Sequence, residues 1–194
     1  MFNPLAVLLG VMSLIVAIGR PSPVHAQEPA STDGDKPGWT WAVLQPGDLE
    51  PDFFLVREEL LEAPGGASYV VVYERPAGSP LDEPFEAGST IIVVNGQLGP
   101  GDFELISATM MQNRTGLTRV VGAPVGDETH WYAGPWSAPD ADDEGQVVVS
   151  RQANVVIAVG LMGLPGAVRS DEVERLARLL WERYAGAGLS TIGE

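Results

Sequence analysis

The stretch Gln146–Tyr184, QVVVSRQANVVIAVGLMGLPGAVRSDEVERLARLLWERY, decides the fold of this chain. Val147–Val149 and Val155–Val159 are β-branched runs on either side of the polar segment Ser150–Asn154, so both favour strand and together predict a hairpin. Val173, Leu176, Ala177, Leu180, Trp181 and Tyr184 then recur at three- and four-residue steps, with Arg175, Arg178, Glu182 and Arg183 mostly on the opposite side. That spacing predicts an amphipathic helix with Ser170 as its N-cap. Asp171 and Glu172 lie in the first turn, where the macrodipole favours carboxylates, and Gly186 and Gly188 mark the stop. Such a helix needs a sheet on which to bury its stripe.

Upstream, Phe53–Leu61 and Ser68–Glu74 flank the turn Pro64-Gly65-Gly66 and predict a second hairpin. A loop rich in proline and glycine, residues 76–88, leads to a third strand, Thr90–Val94, ended by Asn95-Gly96. Asp102 is the expected N-cap of a short helix with Phe103, Ile106 and Met110 on one face. Leu117–Val121 and Thr129–Tyr132 are weaker strands before the acidic loop Asp140–Gly145. The order β-β-β-α-β-β-β-β-α belongs to the α+β class, an antiparallel or mixed sheet of about six or seven strands with two helices packed on it.

The N-terminus reads as an address. Leu5–Gly19 is an apolar run, followed by Arg20, two prolines and Val24-His25-Ala26, which suits signal-peptidase cleavage before Gln27. The run is shorter than the roughly 20 residues of a spanning helix, so membrane attachment is expected only if this segment stays uncleaved. The expected division is a signal peptide over 1–26, a flexible acidic linker over 27–40, one α+β domain over 41–188 and a tail over 189–194. About 170 residues after cleavage suffice for one domain with a sizeable core. The expected location is secreted or extracytoplasmic. With no cysteine in the chain, neither a lipidated cysteine nor a disulfide can hold it there.

The formal net charge of −15 repels phosphate backbones and anionic lipid, which argues against nucleic acid and against electrostatic membrane docking. Lys36 is the only lysine, and the other ten cations are arginines.

Several residues invite a site. His130 stands beside Asp127, Glu128 and Trp131, and a histidine oriented by a carboxylate can serve as general base of a hydrolase. Gly-x-Ser-x-Gly is absent, and Asp-x-x-His on a strand does not put both side chains on one face, so a surface or rim histidine is the plainer reading. One histidine and no thiolate leave zinc without ligands. Asp140, Asp142, Glu144 and Gly145 match positions one, three, five and six of an EF-hand-like loop, but Arg151 stands where the bidentate glutamate belongs. No metal site beyond an adventitious calcium contact is expected. Gly160–Gly166 follows a strand and precedes a helix, yet Met162 replaces the second glycine of a dinucleotide fingerprint and Pro165 offers no N–H, so no nucleotide cofactor is expected. Asn113-Arg114-Thr115 fits a glycosylation sequon by chance. The aromatic set Trp131, Tyr132, Trp136 and Trp181 is the expected lining of any ligand site.

Leu44, Asp48, Leu49, Pro51 and Phe53 form an opening Leu-x-x-x-Asp-Leu-x-Pro-x-Phe. With Pro124, Gly126, Asp127 and Glu128, and the hairpin Val148, Arg151, Asn154, Val155 and Val156, this resembles a group of uncharacterised bacterial exported proteins. More distantly, the element order is similar to extracytoplasmic sensor domains of actinobacterial kinases and related lipoproteins, from which the lack of cysteine departs. The resemblance implies an exported body and no assigned activity. The resulting expectation is a non-catalytic binding or interaction module for an apolar or neutral small molecule or an envelope protein. A hydrolase using His130 with Asp127 or Glu128 and a structural envelope protein are the alternatives. The ligand is expected between the sheet and the last helix.

Overall fold

The computed structural model describes residues 36–76, 80, 82–114, 116–136 and 142–187. The expected signal peptide, Asp140 and the expected tail lie outside these residues. Strands β1 (Phe54–Ala63), β2 (Gly66–Glu74), β3 (Glu86–Val94), β4 (Thr118–Val120), β5 (Glu128–Pro135), β6 (Glu144–Gln152) and β7 (Val155–Gly163) form one sheet. Helix α1 (Pro100–Met111) lies between β3 and β4, and helix α2 (Ser170–Gly186) follows β7. The spatial order is β1-β2-β3-β7-β6-β5-β4, and every pairing is antiparallel. The expected α+β order is therefore the observed one, and the sheet is antiparallel throughout.

The β6–β7 hairpin is tighter than the sequence suggests. Both strands run inward until only Ala153 and Asn154 remain as the turn, with Ala153 left-handed at φ 51°. Asp127 accepts the Ala153 N–H, and the Asn154 side-chain amide donates to the Val94 carbonyl, so contacts from the residue before β5 and from the end of β3 hold a turn that alanine disfavours.

Alternation along the central strands sends side chains to both faces. Val148, Val155, Ile157, Val159 and Ile91 share one core with α2. Val147, Val149, Val156, Ala158 and Ile92 share a second with α1. Continuous valine runs are what a strand buried on both faces requires. The two edges, β1 and β4, leave Phe54, Leu55, Val56 and Val120 exposed.

Both helices start differently from expectation. Gly99, not Asp102, is the N-cap of α1; Asp102 sits in the first turn and its carboxylate accepts the Gly99 N–H at 3.0 Å. In α2, Ser170 is already helical, and its hydroxyl donates to the Gln146 side chain rather than capping the backbone.

The opening motif is a strap across the α2 face. Leu44 is buried, with its N–H on the Ser89 hydroxyl at 2.8 Å and its carbonyl receiving the Tyr73 hydroxyl. Asp48 accepts the Gln45 N–H at 2.7 Å and the two-pronged guanidinium of Arg183 on α2, so one carboxylate joins strap to helix. Arg75 at the end of β2 stacks over Phe53 and pairs with Glu50, Asp52 and Glu83. Lys36 reaches Glu58 and Tyr69, and Trp39 is buried, so the residues just before Trp41 also pack on the domain. These contacts account for the motif residues as structure.

Candidate functional site

On the α2 face the packing closes. Val173, Leu176, Ala177 and Leu180 are fully buried against β6 and β7. Trp181 donates its indole N–H to the Ser150 hydroxyl at 2.8 Å, and the ring meets Tyr184 edge-on at 5.8 Å. Trp131 reaches the same face and donates to the Ala123 carbonyl at 2.8 Å. These buried side chains pack together in one core where the ligand was expected.

The opposite face does not close. A cleft of about 60 Å³ opens where α1 ends, walled by Met110, Met111, Arg114 and Trp136. Its floor comes from register. Gly88 on β3 faces Gly160 on β7, with Val72 and Val147 as the outer partners in that row, and Thr90 faces Ala158 in the next. Two glycines side by side remove the side chains that would otherwise fill the space. A Cβ at Gly88 would meet nothing nearer than 3.6 Å, an ordinary contact distance, so a methyl fits there; one at Gly160 would sit 2.9 Å from Val147 Cγ2. Gly145 serves a different end. Trp136 lies on its bare backbone, and a Cβ there would come within 2.1 Å of the indole.

Two ionisable groups line this apolar space, Glu86 and Arg114. Glu86 is 7% exposed, and burial pushes its carboxyl up to about 7; the attraction of Arg114 opposes this, while Glu74 and Asp143 add to it. Glu74 lies directly across the ladder from Glu86, and Asp143 holds the Trp136 N–H from the loop before β6. Burial likewise lowers Arg114, with Glu86 as the opposing charge. The guanidinium stacks on Trp136 at 4.3 Å and gives the Met110 carbonyl a long contact of 3.4 Å, and its Nε is buried with no hydrogen-bond partner among the described residues. An arginine and a glutamate near neutrality in a greasy cleft can read the head group of a small amphiphile. Sequence reasoning passed over both, although a Gly88–Gly160 pairing would have been the signal had the register been known.

The four expected ligand residues are separated by the sheet. Trp131 and Trp181 belong to the α2 core, Tyr132 and Trp136 to the α1 core. Tyr132 shares a 2.8 Å hydrogen bond with Ser107 of α1, and Trp136 alone lines the cleft.

His130 is buried under α1 rather than placed on a rim. Its side chain is 1% exposed, and the ring packs on Phe103 at 4.5 Å. Nε2 faces Glu104 at 3.5 Å and Glu128 at 3.7 Å, and Nδ1 has no partner among the described residues. Burial, reinforced by Arg119, lowers its pKa below the ordinary histidine value against the pull of the two carboxylates. Asp127 points away, to the hairpin turn.

Of the acidic loop, Glu144 accepts the Gly166 N–H at 3.0 Å, tying β6 to the connection before α2. Arg151 pairs with Glu128 across the ladder at 2.9 Å and donates to the Leu98 carbonyl, so its place in the hairpin motif is that of a brace. No group of metal-ligating side chains occurs among the described residues, and no helix among them is long and apolar enough to cross a membrane.

No protein-family model and no curated protein sequence matches the chain. Among solved structures it is similar to the crystal structure of the extracellular domain of PknH from Mycobacterium tuberculosis, at 9% identity and a TM-score of 0.39, covering 73% of this chain and 70% of that one. A likeness at that level transfers neither detailed geometry nor function.

Proposed function

We propose that the protein is an extracytoplasmic binding module whose site is the cleft at the end of α1, with a small, largely apolar molecule as its ligand. The observation that carries this reading is the paired glycine floor. Gly88 and Gly160 lie side by side on the floor of an apolar hollow between the middle of the sheet and the end of α1. Concave apolar surfaces with a few polar groups are where small ligands bind. Trp136 is the member of the expected aromatic set that serves the site, with Met110 and Met111 as adaptable walls. The export-type leader supports an extracytoplasmic address.

The test is ligand retention and its blockage. Native mass spectrometry of protein purified from its own host is expected to show a small molecule that denaturation releases. Melting in the presence of a library of lipids, sugars and small apolar compounds is expected to raise the Tm of the wild-type chain. The rise shrinks in Gly88→Ala and disappears in Gly88→Val, which fill the floor progressively. A ligand-free mass together with no Tm shift across the library, or a shift that Gly88→Val leaves intact, overturns the reading.

A further inference from the structure

We propose that the cleft selects a small organic anion with an apolar body, of the monocarboxylate class, whose head group pairs with Arg114 beside Glu86. This inference rests on the reading of the cleft as the binding site and adds the ligand's charge and its coupling to a proton.

Charge and geometry lead there together. Among the residues that line the cleft, Arg114 is the cation and Glu86 the acid. A purely apolar ligand would leave Arg114 Nε as it is, buried and without a partner, and a neutral oxygen would accept its N–H but leave the guanidinium charge uncompensated. A cationic ligand would be set against the guanidinium. A carboxylate presents two oxygens in the plane that an arginine fork matches, and it supplies the acceptor that Nε lacks. Stacking on Trp136 already fixes the guanidinium, so little side-chain freedom is lost when the pair forms. The aliphatic remainder of the ligand would lie over Gly88, Gly160 and Ala158 between Val72, Val147 and Met110.

Glu86 decides whether this works. Ionised, it would repel the incoming anion; protonated, it offers an O–H to the same head group. Its carboxyl already titrates near 7 through burial, with Arg114 pulling the other way and Glu74 and Asp143 pushing the same way as burial. A bound anion adds one more negative charge and raises it further. Binding above neutral pH must therefore take up one proton, which comes from solvent. Affinity is level between about pH 5, below which the ligand's own carboxylate is protonated, and about pH 7, and falls up to tenfold for each pH unit above that.

Isothermal titration calorimetry of the full chain with hexanoate and 1-hexanol, at pH 6.0 and 8.5, tests this. Hexanoate is expected to bind at pH 6.0 at least tenfold more tightly than hexanol and to weaken more than tenfold at pH 8.5. Hexanol is expected to be indifferent to pH. Glu86→Gln should flatten the hexanoate profile while keeping its tight binding. Arg114→Gln should reduce hexanoate to the level of hexanol, and Arg114→Lys, which keeps the charge and loses the fork, should fall between the two. Equal binding of the two probes overturns the proposal and leaves the cleft as a site for neutral ligands; a hexanoate affinity that does not change with pH also overturns it, because Glu86 then has no part in holding the head group. If neither probe binds the wild-type chain at either pH, this proposal and the reading of the cleft both fall.

Discussion

The two faces of the sheet are built from the same strands and covered by one helix each, yet one is sealed and the other is open. On the α2 face a 17-residue helix lies over β6 and β7 and presents a continuous apolar stripe. On the α1 face a 12-residue helix stands further off, with the rings of Phe103, His130 and Tyr132 beneath it, and it ends before the sheet does. Beyond its last turn the strands carry Gly88, Thr90, Ala158 and Gly160, residues too small to fill the gap. Closure is therefore set by the length of the covering helix and the volume of the residues under its end. Propensity is strand-like on both faces.

That contrast can be broken by mutation. The largest effect is expected from Leu180→Ala, which empties a fully buried position on the sealed face and should cost about 2–5 kcal/mol in chemical denaturation. Met110→Ala at the cleft wall, where contacts are already missing on one side, should cost about 2 kcal/mol, the low end for such truncations. Equal losses would show that the two faces are packed alike.

Glu86 makes the open face sensitive to pH. Its folded pKa of about 7 lies above the value of an unfolded glutamate, so the folded state holds the proton more tightly. Its contribution is full below about pH 4, declines as pH rises through the interval and is gone above pH 7, a difference of up to about 3 kcal/mol. Glu86→Gln should therefore be more stable than wild type at pH 8, with the advantage vanishing near pH 4. An advantage that is the same at both pH values would show that ionisation is not its cause.

A comparable loss, about 1–3 kcal/mol, is expected from Ser150→Ala, which strands the buried indole N–H of Trp181 without its acceptor. Smallest of all is Gly88→Ala. The new methyl has ordinary contact distances, and relief of glycine's backbone entropy favours it, so stability should stay within about 1 kcal/mol of wild type or rise. Gly160→Ala should be the worse of the pair, because its Cβ is 2.9 Å from Val147 Cγ2. A reversed order of the two would mean that the cleft floor is laid out differently.

Much of this architecture is written locally. The valine runs at Val147–Val149 and Val155–Val159 and the stripe from Val173 to Tyr184 declare strand, strand and helix by period alone, and the element order follows. The ends of elements were harder to read. Asp102 serves as capping-box acid and not as N-cap, and the β6–β7 turn shrinks to two residues, because a few contacts from outside the element decide each end. The site was harder still. Trp131, Tyr132, Trp136 and Trp181 are alike in composition, but β5 turns Trp131 and Tyr132 to opposite faces, and that parity alone puts them in different cores.

The amino-acid sequence by itself determined the α+β class, the order of its elements, the buried stripe of the last helix and the acidic, cysteine-free character of the chain. These depend on periods of two and 3.6 residues and on composition, which are properties of neighbours along the chain. Only the tertiary structure decided that Gly88 meets Gly160, that α1 ends beside them, and that Glu86 and Arg114 share the hollow left behind. Those residues are up to about 70 positions apart, and only the pairing of β3 with β7 and the docking of a helix end bring them together.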